Sequence, residues 1–81
     1  MHYVYVLKSE RNGRRYIGYT QKSPQERLNE HNSGKSEYTK RNGPFVLIRV
    51  EEFQEEGEAR RREKFLKTGH GRRVLDSSIT K

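Results

Sequence analysis

Two runs rich in β-branched and aromatic residues, YVYVLK (3–8) and RYIGYT (15–20), flank an Asn12-Gly13 pair. No other stretch constrains the fold as much. Asn and Gly both accept positive φ, the twist that a tight hairpin demands, so the runs are expected to fold back as antiparallel strands. With Asn12 and Gly13 as a two-residue loop, Arg11 lies opposite Arg14, Leu7 opposite Gly18 and Tyr5 opposite Thr20. Alternation then places Tyr3, Tyr5, Leu7, Tyr16 and Gly18 on one face, and Val4, Val6, Ile17 and Tyr19 on the other. A register slip of two residues keeps these faces; a slip of one scrambles them. Gly18 stands out, because glycine weakens a strand interior and marks a bulge or a close approach by another group.

The next segment, SPQERLNEHNSG (23–34), reads as a helix. Ser23 suits the N-cap, Pro24 the first helical position, Glu26 the return arm of a capping box, and Gly34 the stop. Arg27 and His31 are four apart and share a face, and Leu28 is the main apolar anchor. KSEYTKRNGP (35–44) is polar, basic and closed by Asn-Gly-Pro, which predicts a loop. FVLIRVEEF (45–53) is nearly continuous in apolar residues and predicts a third strand, central and buried. EEGEARRREKFLKTG (55–69) predicts a helix, acidic at its start, with Lys67 and Gly69 near its end. GRRVLDSSITK is expected to be a short tail with at most one turn over Val74 and Leu75. One domain over residues 1–81, with a core at about 2–68 and a tail at 69–81, follows from the length.

Leu, Ile, Val and Phe supply only 16 of 81 residues, so the five tyrosines must share in the core. Cysteine is absent, which removes disulfides, thiolate zinc sites and a cysteine nucleophile. No run has the length of a membrane span or a signal-peptide core, and a cytoplasmic, monomeric protein is the plain expectation. Charge is more informative. The net +7 is concentrated in residues 1–50, with ten Lys and Arg against four Glu, whereas residues 51–81 carry eight against seven acids. A basic surface of this kind suits a polyanion, most often nucleic acid, over a generic basic protein surface or an anionic membrane, for which no basic amphipathic helix is present.

Several side chains are candidates for chemistry. On the second helix Ala59, Phe65 and Leu66 mark the inward side, and Glu63 lies at its edge. A carboxylate there is expected to form a salt bridge, with Arg27 or Arg62 as partner, to reach solvent, or to hold a metal. Tyr5 and Tyr16 suit a core pair or a site, and Arg27 with His31 an ordinary surface or a site. Together they fit phosphodiester hydrolysis, which needs a positioned nucleophile, a cation for charge building on phosphorus and help for the leaving oxygen. A hydrated Mg²⁺ takes as few as one or two carboxylates, so one Glu suffices.

The ordered set YVYVL, RYIG, RLNEH and EARRREKFLK resembles the GIY-YIG nuclease domain, and the stretches EHNSGKSEYTKRNGPF and EEFQEEGEARRREKFLK resemble its small stand-alone bacterial members. Tyr3-Val4-Tyr5 replaces Gly-Ile-Tyr of the first signature, while Tyr16-Ile17-Gly18 is intact. The resemblance implies an α/β (α+β) fold, a small three-stranded antiparallel sheet flanked by helices. It also implies a Mg²⁺- or Mn²⁺-dependent DNA endonuclease, structure-directed or single-strand-directed, in repair or recombination. Carried onto this chain, Tyr16 activates or orients the attacking water, and Tyr5 bonds a phosphate oxygen or that water. Arg27 stabilises the phosphorane charge, His31 orients or relays a proton, and Glu63 is the sole protein ligand of the metal. The general base is either Tyr16 or His31. Gly18 keeps the sheet open to substrate, and Lys35, Tyr38, Lys40 and Arg41 are expected DNA contacts from loop charge.

The chain departs from the family pattern in several places. The spacer from Tyr16 to Arg27 is one residue longer than in many relatives, Tyr19 stands where several nucleases have lysine, and RRVLDSSITK lacks a late asparagine. With no attached DNA-binding domain expected, activity is expected to be weak, non-specific, or directed by a protein partner or by nucleic-acid structure. The alternative is a nucleic-acid-binding module that keeps the fold without catalysis, and the residues do not choose between DNA and RNA.

Overall fold

The computed structural model describes residues 1–33 and 41–79. Along the chain run β1 (His2–Ser9), β2 (Arg15–Thr20), α1 (Pro24–Asn32), β3 (Phe45–Phe53), α2 (Glu56–Leu66) and α3 (Gly69–Ile79). The strands form one antiparallel sheet in the order β2-β1-β3. The expected three-stranded sheet flanked by helices is therefore the observed fold.

β1 holds the centre, and the expectation that β3 would do so is corrected. Val4, Tyr5, Val6 and Leu7 are consecutive and all essentially inaccessible, so β1 is covered on both faces. β3 carries Arg49, Glu51 and Glu52 among its apolar residues, and an edge strand lets such charges reach water.

The hairpin faces are as expected, but the register is two residues away. Tyr5 pairs with Gly18 and Leu7 with Tyr16. The cause is Ser9. Its hydroxyl accepts the backbone N–H groups of Arg11 and Asn12 at 3.1 and 3.2 Å, which lengthens the loop to Glu10–Gly13. Gly13 closes the loop at φ +75°, and its N–H donates to the Ser9 carbonyl at 3.0 Å. The Ser9 hydroxyl also donates to the Asn42 carbonyl, and Glu10 N–H donates to the Pro44 carbonyl at 2.9 Å. Residues 41–44 are thereby tied to the hairpin tip.

The sheet separates two apolar layers. Val4, Val6 and Ile17 meet Ala59, Leu66 and Leu75 from α2 and α3. On the other side Tyr5, Leu7 and Phe45 meet Tyr16, Leu28 and Leu47 under α1. In α1, Ser23 Oγ accepts from Gln25 N–H at 3.2 Å and Pro24 opens the first turn. The expected return bond from Glu26 is not among the hydrogen bonds of the described residues.

The segment expected to be a tail with at most one turn is the eleven-residue helix α3. Two glycines near its start read as breakers in the sequence. Thr68 offsets them: its hydroxyl accepts Gly71 N–H at 3.0 Å and its carbonyl accepts Arg72 N–H at 2.9 Å. Gly71 also lets α3 pack against the end of α2, since a Cβ there would overlap the Phe65 carbonyl. No helix among the described residues is long and apolar enough to cross a membrane.

Candidate active site over strand β2

α1 carries two of the candidate residues across the sheet, and its far end is fixed. Asn32 pairs with the backbone of Phe45 in both directions, accepting its N–H at 2.8 Å and donating to its carbonyl at 3.0 Å. This holds His31 over the start of β3, where its ring meets Phe45 edge-on at 6.1 Å. The His31 ring also lies 4.6 Å from the Tyr16 ring, and its Nε2 is 3.4 Å from the Tyr5 hydroxyl. The Tyr5 and Tyr16 rings are 6.3 Å apart. One turn earlier on α1, the Arg27 guanidinium lies beside the Tyr5 hydroxyl and ion-pairs with Glu30 at 2.7 Å. Arg27 Nε is buried with no hydrogen-bond partner among the described residues, a feature that native structures rarely leave without a use.

Burial sets the protonation states. His31 has its pKa lowered from the ordinary imidazole value, first by burial and then by the Arg27 charge, with Glu30 opposing. It is therefore neutral at pH 7 and able to accept a proton. Tyr5 has its pKa raised, chiefly by burial, although the hydrogen bond from Arg27 pulls the other way; the charge of Glu63 adds to the rise. Tyr5 thus remains a phenol at neutral pH.

Tyr5 is fully enclosed. The expected contact between its hydroxyl and a phosphate has no exposed surface to start from, and the hydroxyl serves Arg27 and His31 instead. The open space expected beside Gly18 is likewise filled from within, because a Cβ there would overlap the Tyr5 hydroxyl and ring. Gly18 is required by Tyr5.

Glu63 approaches from α2, and its charge is felt at the Tyr5 hydroxyl. Its side chain is 17% exposed and accepts an ion pair from Lys67 at 2.9 Å. The expected partners are otherwise engaged: Arg62 pairs with Glu51 at 2.8 Å and Arg27 with Glu30. Among the described residues no three His, Cys, Asp or Glu side chains cluster as a metal cage. A lone, largely enclosed carboxylate suits a hydrated Mg²⁺ or Mn²⁺, which would compete with Lys67 for it.

Tyr5, Tyr16, Arg27 and His31 are therefore brought into one cluster, with Glu63 reaching it through its field. Arg41 is exposed and uses its carbonyl to accept from Arg11 at 3.1 Å. Lys35, Tyr38 and Lys40 lie outside the described residues. Sequence reasoning missed Glu30 and Lys67, the ion-pair partners of Arg27 and Glu63. Their spacings, i+3 and i+4 on helices, were the available signal.

A family model described as the GIY-YIG catalytic domain matches residues 1–75. A UPF0213 protein of Staphylococcus haemolyticus is 44% identical over 68 residues, covering 83% of this chain and 80% of that protein. A UPF0213 protein of Halobacterium salinarum is 42% identical over 64 residues, with 78% and 80% covered. The solution NMR structure of a UPF0213 protein from Bacillus halodurans superposes with a TM-score of 0.57 at 35% identity, covering 94% of this chain and 82% of that one.

Proposed function

The chain belongs to the GIY-YIG family, and from that premise we propose that it is an endonuclease hydrolysing DNA phosphodiester bonds with Mg²⁺ or Mn²⁺ held at Glu63. Membership places it in a nuclease family whose domain binds nucleic acid. The observation that carries the specific reading is the neutral His31 packed on Tyr16 beside the Arg27 guanidinium.

His31 accepts the proton lost by the attacking water, directly or through the Tyr16 hydroxyl. This assigns the base to the imidazole, the group already deprotonated at pH 7. Arg27 faces the charge that gathers on the non-bridging oxygens as phosphorus becomes five-coordinate. Tyr5 holds Arg27 and His31 in position from beneath. Glu63, with water completing the shell, would hold a divalent cation, and that cation would supply Lewis-acid stabilisation of the leaving 3′ oxygen.

The ion pair between Lys67 and Glu63 favours a second reading, a nucleic-acid-binding module without catalysis. One assay separates the two. Wild type and Glu63→Ala are given plasmid, single-stranded DNA and RNA with Mg²⁺ or Mn²⁺, and binding is measured alongside. Cleavage by wild type alone, with binding kept in the variant, supports the nuclease. Equal trace cleavage by both supports the binding module.

A further inference from the structure

A groove of 620 Å³ opens between the start of β2, the C-cap of α2 and helix α3. It adjoins the candidate site, since Tyr16 lines it and Lys67, the partner of Glu63, stands on its wall. Its other charged walls are Arg14 and Arg15 from β2 and its approach, and Arg72 and Asp76 from α3. Asp76 is ion-paired with Arg15. Four cations thus surround one carboxylate, and that carboxylate is already engaged by one of them. Three of the cations, Arg14, Lys67 and Arg72, are exposed.

We propose that this groove binds the phosphates of a single nucleic-acid strand flanking the bond at the Tyr16–Arg27 site, and so sets a preference for single-stranded substrate. The proposal rests on the nuclease reading for the identity of that bond, but not for the binding itself. Sequence-tolerant single-strand sites are built on a cationic groove that follows the backbone, and the exposed Arg14, Lys67 and Arg72 supply one here. The groove volume is that of a small-ligand cleft, a space that one strand segment matches better than a duplex. Asp76 opposes the strand, and by holding Arg15 it withholds one of the four cations.

The test is fluorescence anisotropy with a labelled oligothymidylate in EDTA, where no metal-dependent cleavage occurs, for wild type, Arg14→Glu/Arg72→Glu and Asp76→Asn. The expected result is at least tenfold weaker binding by the double variant. Two fewer phosphate contacts also make its log–log salt slope shallower by about 1.4. Asp76→Asn is expected to bind more tightly than wild type. Thermal melting establishes that each variant is folded, and Asp76→Asn gives a readout in the opposite direction that misfolding does not imitate. Unchanged affinity in the double variant overturns the proposal. So does tighter binding of duplex than of single strand, or displacement of the oligomer by inorganic phosphate at matched phosphate concentration. Loss of cleavage in wild type, with groove-dependent binding intact, would remove the nuclease reading and leave the groove; Glu63-dependent cleavage by a double variant that binds normally would do the reverse.

Discussion

The Tyr5 ring occupies the space that a side chain at Gly18 would fill: an added Cβ would overlap the hydroxyl and Cζ and stand 2.9 Å from Cε1. The two residues are cross-strand partners. The smallest residue on β2 thus permits the largest buried side chain on β1. That ring cannot swing aside, because it has no exposed surface.

Gly18→Ala should therefore act as an overpacking change and cost about 1–3 kcal/mol. It should also displace the hydroxyl from Arg27 and His31 and lower kcat. Urea unfolding of Gly18→Ala, Tyr5→Leu and the double variant checks the coupling. If Ala costs the same with and without the Tyr5 ring, the two residues are not in conflict.

His31 gives activity a pH dependence of known sign. Its folded pKa lies below the ordinary imidazole value, so the base stays functional as pH falls through that value. The acid-side fall in cleavage should set in only below pH 6.5, the unperturbed value. Stability follows the same group. Between the unperturbed value and the lowered folded one, the unfolded chain binds more protons, so stability falls as pH drops through that window. His31→Gln should remove both dependences, read from kcat profiles and from melting at several pH values.

Arg27→Ala should cost about 3 kcal/mol of transition-state stabilisation, as expected for a preorganised charge stabiliser. A loss confined to binding would contradict that role. Glu30→Gln removes the carboxylate that holds the guanidinium, and should give a smaller fall in kcat than Arg27→Ala with unchanged DNA affinity. Single-turnover rates at saturating DNA separate the two effects.

Lys67→Met leaves the Glu63 carboxylate without its cation. The Mn²⁺ concentration for half-maximal cleavage at saturating DNA should fall. A rise would mean that Lys67 orients Glu63 for the metal instead of competing with it.

Leu75→Ala should cost about 2–5 kcal/mol, the usual range for emptying a buried leucine site. Leu75 is 1% exposed and packs with Val4, Val6 and Leu66. In a domain with so few apolar residues, that is a large share of the stability. A loss under 1 kcal/mol in urea titration would mean that α3 is dispensable.

The strand pattern and helix cap were legible because each is local: alternation over 3–8 and 15–20, and Ser23-Pro24 at the start of α1. What escaped depended on side chains acting at a distance in sequence. The Ser9 hydroxyl rewrote a loop that Asn-Gly alone predicts as two residues. Thr68 allowed a helix where Gly69 and Gly71 predict a stop. β3 looked central by apolar count, but strand order depends on which strand both faces can cover, and that required knowing where α1, α2 and α3 pack. The clustered Tyr, Arg and His residues were recognisable through the family resemblance. The enclosure of Tyr5 was not, because signature residues give no burial.

An open three-stranded sheet leaves two rows of backbone groups that could join another copy. Along β3 the charges of Arg49, Glu51 and Glu52 discourage such pairing. β2 is shorter, and Arg14 and Arg15 stand at its entrance. In a parallel pairing of two copies along that edge, these like charges would meet and repel. Arg14, proposed above to meet nucleic acid, would then also oppose edge-to-edge association, and replacing it for the sake of weaker binding would put colloidal stability at risk.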